Sequence, residues 1–147
     1  MKKKTYKPAF WFSVTCMFLM TLIFPLMPLA GEMDLAGDGL LLRLSGVWFW
    51  AMLLGALGLF LFVNRKRKKQ ADKSQPKQKP GIIRFFTNPW GKAADIVFFA
   101  SLAAFLTVLF LSPQSFAVYI LLSLTTFSAL MHGVFNGVNY QFIKTQQ

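Results

Sequence analysis

The sequence predicts an all-α integral membrane protein, with four transmembrane helices forming two helical hairpins joined by a basic cytoplasmic linker that includes a short interfacial segment. Three observations lead there. Hydrophobic residues make up 55% of the 147 positions and charged residues 14%, against about 25% charged in a soluble domain, so polar surface is too scarce to cover a water-soluble globule. Four apolar runs, at 8–30, 40–63, 93–111 and 116–142, each approach or exceed the roughly 20 residues a helix needs to cross a hydrocarbon core. Between the second and third lies one long polar stretch, 64–92, with ten basic residues and the single acid Asp72. By length the chain is one membrane domain, 1–147.

The first run, 8–30, carries no charge. Phe10, Trp11 and Phe12 at its start suit the aromatic belt of a membrane interface, and Pro25 and Pro28 near its far end are expected to kink or end the helix. The rival reading is a cleaved signal peptide. The run exceeds the usual apolar core of about 7–15 residues, and Pro28 stands where cleavage needs a small residue, so a retained anchor is expected. Cys16 is the only cysteine and reads as a small buried hydrophobe.

Residues 31–39 hold Glu32, Asp34 and Asp38 with no basic residue. They lack the twelfth-position Glu of a calcium loop and read as a solvated acidic turn. The second run is interrupted only by Arg43, placed to snorkel outward or to pair with Asp34 or Asp38. Ala51, Gly55 and Gly58 form a small-residue strip where another helix can approach closely.

The linker divides in two. Residues 65–80, rich in Lys, Gln, Ser and Pro, read as flexible. Residues 81–92 interleave Ile82, Ile83, Phe85, Phe86 and Trp90 with Arg84 and Lys92, the pattern of a segment that lies on the membrane and turns inward at Asn88-Pro89. The third run then carries one charge, Asp95, and a second small strip at Ala100 and Ala104. The four residues 112–115 allow only a tight connection to the fourth run. Segments 7–28 and 92–113 have equal length and matching ends, a duplicated-hairpin signal with few internal matches.

Charge sets the expected orientation. With the N-terminus inside, four lysines before the first run, the ten linker cations and Lys144 are cytoplasmic, fifteen of the sixteen basic residues, and neither outer loop holds one. That is the positive-inside pattern. A net charge of +11 would suggest nucleic acid in a soluble protein. Here Arg65, Lys66, Arg67, Lys68 and Lys69 have no folded scaffold to position base contacts, so no nucleic-acid partner is expected. The run is read as a topology signal that attracts anionic lipid headgroups, at about 1 kcal/mol per cation. The short basic N-terminus and loop lengths suit the plasma (cytoplasmic) membrane of a bacterium.

The fourth run is the unusual one. Thr125, Ser128, His132, Asn136 and Asn139 recur every three or four residues and so share one helix face. Ala129, Gly133 and Gly137 form a small strip on the neighbouring face. Polar groups at membrane depth normally face other helices or a water-filled cavity. Asp95 and His132 are equidistant from the centre of the 112–115 turn, so at equal rise per residue they sit at equal depth. An Asp95–His132 contact with Asn136 beside it is predicted, near the cytoplasmic edge.

Two readings of that cluster compete: side chains that satisfy one another and lock two helices, or a proton relay or substrate site. Enzyme chemistry is not expected, since no Ser or Cys nucleophile has a paired base and no second carboxylate lies near Asp95. One His and one Cys make no metal cluster, and no cofactor is implied. The first run lacks the mid-helix carboxylate of a small four-span drug exporter, and no CxxC marks a quinone-linked thiol oxidoreductase. The expected function is therefore an accessory, assembly or interaction subunit of a membrane system, with a membrane-protein partner or self-association. A homo-oligomeric transporter or pore is the alternative, and a bacteriocin-immunity or holin-like protein a third.

Overall fold

A computed structural model describes residues 6–33, 39–71, 86 and 88–137. They form five helices: α1 (Tyr6–Thr21), α2 (Ile23–Met33), α3 (Leu40–Ala71), α4 (Pro89–Leu111) and α5 (Phe116–Phe135). No strand occurs among the described residues. Four stretches, Pro8–Glu32, Arg43–Arg65, Pro89–Leu111 and Phe116–Phe135, are long and apolar enough to cross a membrane. At 1.5 Å per residue they measure roughly 30–37 Å. Their outward faces are apolar as well: Phe110 is 88% exposed and Val47 67%, as expected of helices that are hydrophobic all round.

The first apolar stretch is two helices, interrupted at Leu22. Neither proline terminates it. Pro25 has no N–H for the carbonyl four residues back and its ring crowds that carbonyl, so the regular ladder fails upstream, around Thr21. The helix restarts with the Leu26 N–H donating to the Leu22 carbonyl at 3.1 Å. Pro25 then falls in the first turn of α2, where proline is tolerated, and Pro28 lies inside the helix. Beside the break, the Trp48 indole donates to the Leu19 carbonyl at 3.1 Å.

α3 corrects the reading of the linker. It runs 32 residues without interruption, so 65–71, expected to be flexible, is helical. The physical reason is local. Arg, Lys, Gln and Ala are good helix formers, no Gly or Pro intervenes, and the preceding span supplies the nucleus that an isolated segment would have to form for itself. Residues 72–85 and 87, including half of the expected interfacial segment 81–92, lie outside the described residues, as do Asp34 and Asp38.

α4 begins at Pro89, four residues before the expected boundary. Asn88 is its N-cap, in extended conformation, and the Asn88 side chain accepts the Gly91 N–H at 2.9 Å, with Pro89 in the first turn, where its missing N–H costs nothing. The Ser112 N–H closes α4 on the Val108 carbonyl at 2.8 Å, and Ser115 caps α5 by accepting the Ala117 N–H at 3.3 Å. α5 ends at Phe135 with Asn136 as C-cap, short of the predicted boundary at 142. Asn136 and Gly137 are both poor helix formers, and 138–147 lie outside the described residues.

α4 packs on α5 and α1 on α3, while α2 touches α3 and α5, and α1 touches α5. All four apolar stretches meet at one end, in a core of Phe10, Val63, Ala94, Met131, Val134 and Phe135. Aromatic rings continue this layer: Trp90 stacks on Phe135 with centroids 5.9 Å apart, and Trp11 meets Trp90 edge-on at 5.8 Å. Such pairs contribute about 0.5–1.5 kcal/mol each beyond area burial.

Candidate functional site

The polar residues predicted to share a depth lie at this end, between the start of α4 and the end of α5. The N-cap at Asn88 sets the phase of α4, and Gly91, Ala94 and Asp95 are the residues buried in its first two turns. Asp95 is fully buried, at 0% exposure. Its Oδ1 lies 2.5 Å from His132 Nδ1 and accepts from Asn136 Nδ2 at 3.4 Å. Its Oδ2 accepts the backbone N–H of Phe86 at 2.8 Å. A carboxylate only accepts, so with Asp95 ionised the His132 Nδ1–H donates to Oδ1 and Asn136 brings a second donor to the same oxygen. Removing a carboxylate from water costs several kcal/mol unless donors replace the lost hydration; here three donors do so.

Two further contacts bind the same corner. Asn88 Nδ2 donates to the Phe135 carbonyl at 2.8 Å, so one side chain caps the start of α4 and satisfies a carbonyl at the end of α5. Gly91 makes the approach of the two helices feasible. A Cβ there would stand 2.6 Å from Asn136 Oδ1 and 3.2 Å from its Cγ. Phe86 has φ 56°, in the left-handed region that costs a non-glycine residue about 1–2 kcal/mol, and its N–H donates to Asp95 from that conformation.

Ser128 and Thr125 of the predicted stripe do not join the cluster. Ser128 is buried, and its single hydroxyl proton has the Leu124 and Thr125 carbonyls of its own helix within reach, at 2.8 and 3.0 Å. Thr125 donates to its own helix at Leu121 and lies 3.1 Å from Ser101 Oγ across the α4–α5 contact. Asn139 lies outside the described residues. Of the small-residue strips, Gly55 packs within the chain, where a Cβ would lie 3.4 Å from Cys16 Sγ. Ala51, Gly58, Ala100, Ala129 and Gly133 are exposed, Ala104 is half-buried, and Gly58 and Gly133 have open space where a Cβ would project. Gly137 follows the end of α5, against its own backbone at Gly133.

Among the described residues no buried side-chain polar atom lacks a hydrogen-bond partner, and no group of three or more His, Cys, Asp or Glu converges as a metal site would require. The chain's residues can therefore hold a proton between Asp95 and His132 and fix two helix ends. Asn88, Gly91 and the Phe86 amide were not anticipated as part of this corner. Asn88-Pro89 carried a usable signal, an N-cap residue followed by proline at the first helical position. Gly91 and Phe86 carried none, because their roles exist only across the tertiary contact.

Fold and site together define a class: an all-helical protein with four membrane-length apolar stretches, two of them tied by an Asp–His–Asn cluster around the buried Asp95. Comparison with protein-family models, curated proteins and solved structures yields no match.

Proposed function

We propose that this is a multi-pass protein of a bacterial plasma membrane, with both termini cytoplasmic and its spans in two helical hairpins joined by the basic linker. We further propose that it acts without catalytic activity as an accessory or assembly subunit. The observation that carries this reading is the condition of Asp95. Both its oxygens are occupied by donors of its own chain and none of it is exposed, which supports a structural lock over a site that exchanges protons or substrate. The exposed small residues Ala51, Gly58, Ala100, Ala129 and Gly133 supply faces on which partner helices can pack closely.

A second reading, a homo-oligomeric transporter or pore, draws on one observation: the His132 side chain is 21% exposed beside the fully buried Asp95. Cross-linking in native membranes separates the two. The subunit reading expects one discrete heterologous product, and a closed ladder of self-products overturns it. Asp95→Asn and His132→Ala are expected to weaken the fold. Full expression of both variants with loss of a measurable ion or solute flux would establish the transport reading instead.

A further inference from the structure

α3 continues as a helix beyond the point where its apolar stretch ends. That stretch is Arg43–Arg65 and the helix reaches Ala71, so about 9 Å of helix projects past it at 1.5 Å per residue. The headgroup layer on each side of a bilayer is about 5–8 Å deep. The projecting turns carry Lys66, Arg67, Lys68 and Lys69 beyond Arg65, and no acidic residue occurs anywhere in α3. Arg65 and Lys68 are both exposed and, three residues apart, share a face.

A separate observation marks the level from which this projection starts. Val63 belongs to the end-layer core with Phe10, Ala94 and Phe135. Trp11 and Trp90 lie in the same layer and are 36% and 53% exposed, and Lys92 beside them is exposed. Half-exposed indoles with flanking cations mark the membrane–water boundary. The basic turns of α3 therefore start at that boundary and cross the headgroup zone.

We propose that the helical extension of α3 is a binding surface for the phosphodiester headgroups of anionic lipids, and that its helical continuity with the span holds the basic residues' backbone at that layer. This rests on the reading that the apolar stretches cross a bilayer. Guanidinium and ammonium groups make charge-assisted hydrogen bonds to phosphate oxygens. A flexible run of the same charge attracts the surface generally. A helix rooted in the span fixes the depth of the backbone that bears the charge.

The test uses the full chain, purified in mild detergent with equal amounts of phosphatidylglycerol and phosphatidylcholine, with retained lipids counted by native mass spectrometry. The wild type is expected to retain phosphatidylglycerol preferentially, with the preference falling as salt rises and roughly fivefold for each cation changed to glutamine at low salt. A Gly-Gly insertion between Asn64 and Arg65, which keeps every charge but uncouples the run from the span, is expected to lower the preference too. Equal retention of the two lipids by the wild type overturns the proposal, as does an insertion variant with undiminished preference. Tight capture of a DNA or RNA oligonucleotide without lipid preference overturns it in favour of a nucleic-acid partner. Extraction of the chain from membranes by alkaline carbonate would instead remove the bilayer reading on which it rests.

Discussion

The α4–α5 and α1–α3 pairs are both apolar helices in close contact, yet they are joined by different chemistry. α4 and α5 are tied at one end by Asp95, His132, Asn136 and Asn88, and again further along by Thr125 and Ser101. α1 and α3 meet at Gly55 against Cys16, with single side-chain bonds from Ser13 to the Ala56 carbonyl at 3.1 Å and from Trp48 to Leu19. Polar ties of fixed geometry specify which residues face each other, and a lost partner leaves a buried group unsatisfied. Apolar contact tolerates small slides. The α4–α5 pair is therefore set in register by its side chains, and the α1–α3 pair by shape.

The sharpest way to break this contrast is Asp95→Ala. It removes at one stroke an acceptor shared by the Phe86 N–H, the His132 ring and the Asn136 amide, and leaving a buried polar group without its partner costs about 1–3 kcal/mol. Unfolding by sodium dodecyl sulfate from mild detergent micelles should show the largest destabilisation of any variant considered, with Asp95→Asn losing less because it keeps an acceptor for His132. A cost for Asp95→Ala no greater than that of one ordinary hydrogen bond would mean that packing alone sets the register. Gly91→Ala comes next. Its methyl would sit 2.6 Å from Asn136 Oδ1, so Asn136 must leave Asp95 or the helices must part, at about 1–3 kcal/mol as for other overpacked sites. The same unfolding measurement, with cysteine cross-linking across α4 and α5, should report both the loss and the displacement.

How much of this was legible in the sequence follows from the same contrast. Helix existence came from long apolar runs, and the Asp95–His132 contact from symmetry about a four-residue turn that admits one pairing. Both signals are local or nearly so. The boundaries were less legible. Helical 65–71 was hidden because a Lys- and Gln-rich stretch reads as flexible by composition, while its structure depends on the span that precedes it. The α4 start is less legible because Asn-Pro reads equally as a turn, whereas here the Asn88 side chain and Pro89 are the cap and first position of the helix itself. The interruption at Leu22 lies upstream of the proline that accounts for it, since the missing hydrogen bond belongs to a carbonyl four residues earlier.

Ser13→Ala probes the other pair. It removes the Ser13 hydroxyl that donates to Ala56 but leaves no acceptor stranded, because the Ala56 carbonyl retains its place in α3. The expected loss is about 0.6 kcal/mol, the average for hydrogen bonds between membrane helices, measured by the same unfolding midpoint.

The smallest expected effect is the most discriminating. Gly55→Ala introduces the same methyl as Gly91→Ala, at another helix contact. Its Cβ would stand 3.4 Å from Cys16 Sγ, an ordinary van der Waals approach to a soft, polarizable atom. Alanine also gains up to about 1 kcal/mol over glycine in a helix interior. No clash opposes that gain, so the unfolding midpoint should hold or rise slightly. The pair of substitutions thus holds the chemistry of the change constant and varies only what the methyl meets: a directed amide fixed by Asp95 in one case, a thiol that yields in the other. Equal losses at the two glycines would show that both pairs are held by shape, and that the Asp95 cluster adds nothing to the register of α4 on α5.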